Sequence, residues 1–309
     1  MKSVRFAVVF VLLSAVSAFA QINDTYVIPV AGNTPGAFGT RWMTQFSVFN
    51  PQSYELKVSI TFIPTLGGRG QEALIRVPAN AVAFSNNVLS DVFSLSGGGA
   101  LLVATFPEDN PGVANDVISR AFLVTTNTFN NSSSGTFGQT IPGVWAGLMD
   151  FATDGISAVA HGIRNDSRQG WRANVGAVNL GRSSVTMRLN VYDINGAVVA
   201  RNIPFTIPPL AHVQDSLPVQ VDRGSVEFFV DDATKQAVVF PYISVIDQLS
   251  GDPTYQSPTL LATPKVLFGK GAIDPTSIGK KIDNGYARSV RETADRIGEV
   301  QLKIDPVEK

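Results

Sequence analysis

Trp42 and Asn50 stand eight residues apart, and so do Trp171 and Asn179, at an offset of 171 − 42 = 129. The register persists beyond both asparagines. Leu56, Val58, Ile60 and Phe62 fall on Val185, Met187, Leu189 and Val191, while Lys57, Ser59 and Thr61 fall on Thr186, Arg188 and Asn190. Apolar and polar residues alternate with period two in both copies, which suits a strand with one face in a core and one in water. A duplication of this length constrains the fold more than any single motif, because each copy must close a core with the same strands.

Further matches follow with small gaps. Val77-Pro78 aligns with Ile207-Pro208, and Gly99-Ala-Leu-Leu-Val103 with Gly224-Ser-Val-Glu-Phe228. Arg120-Ala-Phe-Leu-Val124 and Val239-Phe-Pro-Tyr-Ile243 supply the last long strand of each copy. Between them lie turn residues: Gly67-Gly-Arg-Gly70 in the first copy and Asn195-Gly196, a type I′ hairpin signal, in the second. Helical periodicity is missing from residues 22–262. The expected fold is all-β: two tandem immunoglobulin-like antiparallel β-sandwiches over residues 21–142 and 156–262. The junction, 143–155, carries Trp145, Leu148 and Phe151 and is too apolar for a free linker, so it is expected to pack on the sandwiches.

The two ends of the chain read differently. Lys2 and Arg5 precede an apolar run over 6–16, and Ala18-Phe-Ala20 follows as a small-x-small cleavage site. This is the layout of a secretory signal peptide over residues 1–20, the alternative being an uncleaved anchor. Cleavage leaves a net charge of (24 − 2) − 25 = −3 and no later segment apolar enough to span a bilayer, so the mature chain is expected outside the cytoplasm, periplasmic or extracellular. From residue 263 onward, 16 of 47 positions are charged, against 33 in the preceding 262. Tyr286, Val290, Ala294 and Ile297 recur at helical spacing behind Asp283-Asn284. The plain reading of 263–309 is a solvated charged tail with one short helix. Docking to a partner or to the protein's own sheet is the alternative.

Composition narrows the chemistry. The chain has no cysteine, which removes disulfides, thiolate metal sites and a cysteine nucleophile. Lys+Arg 24 against Asp+Glu 25 offers no basic excess for phosphate neutralisation, so a nucleic-acid partner is not expected. A Ser-His-Asp hydrolase would have to use His161, which reads as a strand residue, or His212, which reads as part of the Pro208-Pro-Leu-Ala-His212 turn, and no Gly-x-Ser-x-Gly occurs. Asp231, Asp232, Asp247 and Asp252 cluster late in the second copy. Turn capping accounts for them, with a calcium site as the alternative; otherwise no cofactor or metal is expected. The candidate contact residues are aromatic. Trp42 and Trp171 share a strand face with core residues, so core anchoring is their first reading and stacking on a sugar or partner chain the second. Trp145, in the junction, is the most exposed by expectation.

Ile28-Pro-Val-Ala-Gly32, Gly39-Thr-Arg-Trp-Met-Thr44, Val48-Phe-Asn-Pro51 and Gly135-Thr-Phe-Gly-Gln-Thr-Ile-Pro-Gly143 form one group of strings. Trp171-Arg-Ala-Asn-Val-Gly-Ala-Val-Asn-Leu-Gly181, Ser244-Val-Ile-Asp247 and Thr254-Tyr255 form another. Together they resemble tandem β-sandwich repeats of exported, uncharacterised proteins from Acidobacteria and related environmental bacteria, over about residues 26–260. The resemblance implies a tandem sandwich and export, and carries over no functional residue; Met43 stands where the usual repeat has Arg. The resulting expectation is a non-enzymatic structural, adhesion or interaction protein of the bacterial cell envelope, whose partner is a protein or a surface glycan. A carbohydrate-binding module using exposed aromatics is the alternative, and a hydrolase the remote one.

Overall fold

The structure is a computed structural model that describes residues 23–36, 40–132, 135–146, 157–230, 237–261 and 284–306. The expected signal peptide, Asp231-Asp232 and most of the junction lie outside the described residues. The chain is all-β, built of several antiparallel sheets. The first half carries β1 (Thr25–Pro35), β2 (Arg41–Phe49), β3 (Leu56–Pro64), β4 (Gln71–Val77), β5 (Ala81–Ser85), α1 (Val88–Phe93), β6 (Gly97–Ala104), β7 (Leu123–Ser132), β8 (Gly135–Pro142) and β9 (Val144–Trp145). The second half carries β10 (Ser157–Asn165), β11 (Trp171–Asn179), β12 (Val185–Tyr192), β13 (Val198–Ile207), β14 (Ala211–Ser216), β15 (Val221–Val230), β16 (Val239–Asp247), β17 (Pro253–Gln256) and β18 (Thr259–Leu261). A terminal stretch adds α2 (Asn284–Thr293), β19 (Asp295–Val300) and β20 (Lys303–Pro306).

Pairing repeats strand for strand. In the second unit the sheets run β13-β12-β15-β10-β18 and β14-β11-β16-β17. In the first, β4-β3-β6-β1-β9 and β5-β2-β7-β8 are paired in the same order, except that β1 also pairs with β2 through Asn33, Thr34 and Pro35 and so links the two layers. The alternating apolar residues meet as expected. Val58, Ile60, Ile75, Leu101 and Val103 face Phe46, Val48, Ala83 and Phe122 in one core, and Met187, Leu189, Val226 and Phe228 face Ala173, Val175, Ile243 and Val245 in the other.

Two details show why the duplicated residues recur. Asn50 is fully buried, and its amide donates to the carbonyls of Tyr54, Val77 and Pro78 while its Oδ1 accepts from Gln52 N–H. Asn179 does the same with Ser183, Ile207, Pro208 and Gly181 N–H. Each asparagine thus ties the end of its strand to the loop that follows and to a distant strand end, satisfying carbonyls that no ladder reaches. Gly99 and Gly224 are the second case. A Cβ at Gly99 would strike the Ile63 carbonyl, and one at Gly224 the Tyr192 carbonyl, the same position 129 residues on. Both glycines stand beside register shifts in the pairing with the neighbouring β1 and β10.

Several expectations are corrected. The Asn195-Gly196 turn is not type I′: Gly196 has φ +82° but Asn195 does not lie at positive φ, and Gly196 N–H bonds Asp193 O while Asp193 N–H bonds Ala197 O. This is a type I turn closed by a left-handed glycine. The first unit also contains a helix, α1, capped by Asn87 and burying Val88, Leu89, Val92 and Phe93 against its core. Residues 135–142 form β8 on the edge of β7, and Val144–Trp145, at the start of the expected junction, pairs with β1.

Where it is described, the tail is paired to the protein's own sheet, although many of its residues stay exposed. β19 pairs in parallel with β4, and β20 pairs antiparallel with β5, so the terminal residues occupy both outer edges of the first unit. α2 turns Ala287 and Val290 onto Val27, Ala104 and Phe106. Its Arg291, itself buried, lies between Glu72 at 3.1 Å and Asp109 at 2.6 Å, with the guanidinium 4.6 Å above the Phe106 ring. Ile297, expected on the helix stripe, is exposed on β19, because the helix ends at Thr293.

The same outer face of the first unit meets the second. Val27, Ile63, Ala100, Leu102 and Val144 pack against Val178, Leu180, Val238 and Phe240. β6 and β16 are therefore covered on both faces, which is why their residues are apolar without alternation.

Candidate functional site

Where the two units diverge from this contact they leave a cleft of about 370 Å³. One wall comes from the end of β1, with Thr34 and Pro35, together with Gly36, Trp42, Thr128 of β7 and Gln139 of β8. The other is the outer face of β14-β11-β16-β17, whose out-facing positions present Arg172, Asn174, His212, Gln214, Ser244 and Ile246. Period two fixes this arrangement: Trp171, Ala173 and Val175 point into the second unit's core, so Arg172 and Asn174 point out of it.

Three polar contacts span the cleft. Gln139 Nε2 lies 3.3 Å from Ser244 Oγ. The β3–β4 loop reaches across to β14, where Leu66 N–H donates to His212 O at 2.8 Å and Thr65 Oγ1 lies 2.9 Å from His212 Nδ1. His212 is thus a buried strand residue, not a turn residue. Its Nε2 lies 2.7 Å from Tyr242 Oη, which in turn lies 2.8 Å from the Gln214 side chain. Burial holds the imidazole pKa down to about 4, so the ring is neutral near pH 7. Thr65 Oγ1 lies 2.8 Å from Gly98 O and 2.9 Å from His212 Nδ1, so its hydroxyl proton is shared between these two acceptors. The Tyr242 hydroxyl donates to Gln214 Oε1, so Nε2 carries the imidazole proton and donates it to the phenolic oxygen. Burial likewise raises the Tyr242 pKa well above its ordinary value. The Tyr242 ring lies over Gly176, where any Cβ would overlap it.

This chain of hydroxyls and imidazole orders the junction and leaves His212 with both nitrogens engaged. No carboxylate faces it among the described residues. His161 is exposed on β10 beside the Gly162 bulge, and no Ser-His-acid arrangement forms around either histidine among the described residues. Asp247 caps its own turn, accepting from Leu249 N–H at 2.8 Å, a bond that lowers its pKa. Among the described residues no group of three His, Asp or Glu side chains is placed to hold a metal ion.

Other cleft groups are left without partners. Asn174 is 8% exposed, yet its side-chain amide has no hydrogen-bond partner among the described residues, and neither the Arg172 guanidinium nor the Trp42 indole N–H has one. Three donors without a partner among the described residues thus line one concave site, two of them on half-buried side chains, the arrangement that a ligand carrying acceptor groups would use. No acidic residue lines the cleft.

The three tryptophans named from sequence are not brought together. Trp42 lines the cleft; Trp171 packs against the second unit's core with Arg164 4.4 Å over its ring; Trp145 is half-buried on β9 opposite Tyr26. Sequence reasoning missed Arg172, Asn174, Gln139, Gln214 and Ser244. The available signal was polar residues at the out-facing positions of β11, with Gly176 in mid-strand marking a close approach. No helix among the described residues is long and apolar enough to cross a membrane. Neither the protein-family models nor the curated proteins contain a match to this chain.

Proposed function

We propose that this chain is an exported, non-enzymatic binding protein of the bacterial cell envelope, made of two tandem immunoglobulin-like sandwiches that hold a ligand cleft between them. The observation that carries the reading is the cleft itself, in which Trp42, Arg172 and Asn174 present donors that no described residue satisfies. The fixed relation of the walls supports it, because the hydrogen bonds at His212 and the shared apolar contact of the two units preorganise the site. Of the partners expected from sequence, a surface glycan fits this cleft better than a protein. A concave site lined by amides, hydroxyls and one indole suits a hydroxylated ring, and protein partners favour broader surfaces.

Two measurements test the proposal. Screening the protein on a glycan array, with Trp42→Ala and Trp145→Ala beside it, should give binding that Trp42→Ala abolishes and Trp145→Ala leaves intact. Glycan binding that survives Trp42→Ala would move the site elsewhere. Fractionation with N-terminal sequencing should find the mature chain outside the cytoplasm, starting at Gln21.

A further inference from the structure

Resting on that reading of the cleft, we infer that its ligand is an acidic saccharide, with a hexuronate carboxylate read by Arg172 and Asn174. Three observations converge on this class. Arg172 is the one ionised side chain among the lining residues, since His212 is held neutral by burial and no Asp or Glu is present. Its guanidinium has no carboxylate partner among the described residues, whereas nine of the fourteen described arginines, Arg76, Arg120 and Arg291 among them, are matched to acids. An arginine in a concave site without an internal acid supplies a planar fork for an incoming carboxylate.

Asn174 is the second observation. It stands two residues along the same strand face, nine-tenths buried, with an unengaged amide. An amide beside a guanidinium can donate to the same carboxylate or to a neighbouring hydroxyl. The third is the remainder of the lining: Trp42 supplies an apolar surface with an indole donor, and Thr34, Gln139 and Gln214 supply groups for ring hydroxyls. The volume, about 370 Å³, falls in the ordinary range of small-ligand sites, roughly 300–1,000 Å³. A simple inorganic anion would use Arg172 and leave the rest of this surface without purpose.

The test is isothermal titration of the full mature chain with oligosaccharides of galacturonic, glucuronic and mannuronic acid, each as the free acid and as its methyl ester. The ester keeps ring, hydroxyls and size while removing the charge. At least one free acid should bind tenfold or more tighter than its ester. In Arg172→Gln that preference should vanish, with the circular dichroism and melting temperature of the parent. In Trp42→Ala both forms should weaken. Equal binding of acid and ester, or a preference that persists in Arg172→Gln, overturns the role of Arg172 while leaving the cleft reading intact. Failure of all three acids overturns the uronate inference. If the glycan array also shows nothing sensitive to Trp42, the cleft reading falls with it.

Discussion

Asn50 and Asn179 carry the duplication at the scale of single residues. Each is buried and bonds three carbonyls through one amide. Replacing either by alanine strands those carbonyls without water, a loss of about 1–3 kcal/mol. Urea unfolding of Asn50→Ala and of Asn179→Ala should show comparable destabilisation; a neutral effect at either site would mean the two asparagines are not equivalent. His212 gives a pH signature. Its folded pKa, about 4, lies below the ordinary value of 6.5, so the unfolded chain takes up the proton first. The stabilisation is complete above pH 6.5 and is lost as pH falls toward 4, amounting to roughly 3 kcal/mol. In His212→Gln the loss of stability between pH 7 and pH 4.5 should be smaller than in the parent. Equal slopes would show that the histidine is not held neutral. Gly176 adds a steric prediction: Gly176→Ala should displace Tyr242 and release His212, seen as a return of the imidazole pKa toward its ordinary value by NMR.

Among elements, the tail departs most from what the sequence suggests. Its strands close the two edges that β4 and β5 would leave open, and β13 and β14 show those edges unfilled by any described strand in the second unit. Arg291 anchors this arrangement through Glu72 and Asp109, and removing one partner of a buried pair costs about 3–5 kcal/mol. Arg291→Ala should therefore lower stability markedly, and truncation before residue 284 should yield a protein that self-associates through exposed edges, read by analytical ultracentrifugation. A truncated chain that stays monomeric at unchanged stability would contradict this role. The strands β2, β3, β11 and β12 were legible because one face of each is apolar at period two, even though the opposite face of β3 and of β11 is also largely buried. β19 was not: half of Asp-Arg-Ile-Gly-Glu-Val is charged, its residues are largely exposed, and only the partner strand makes it extended. The same holds for β6 and β16. Their unbroken apolar runs signal burial on both faces, yet nothing local says what covers them.

At the scale of the whole molecule, the cleft exists only because the units are fixed against each other. Val27, Leu102 and Phe240 bury one shared surface, and His212 joins the β3–β4 loop to β14. The cleft residues come from strands more than a hundred positions apart, and nothing in the sequence pairs Gln139 with Ser244 or Trp42 with Arg172. Periodicity could place Arg172 and Asn174 on an outer face, but whether that face met water or another unit depended on packing. The tryptophans were readable as candidates, and the structure separates them: one in the cleft, one on a core, one on an edge strand. That separation allows a direct measurement. The chain has three tryptophans, hence three indole N–H signals in a nitrogen-correlated NMR spectrum. During titration with hexuronate oligosaccharides, the Trp42 signal should shift in a saturable way while those of Trp145 and Trp171 stay in place. A saturable shift at Trp145 or Trp171 with Trp42 unmoved would contradict a ligand site between the two units.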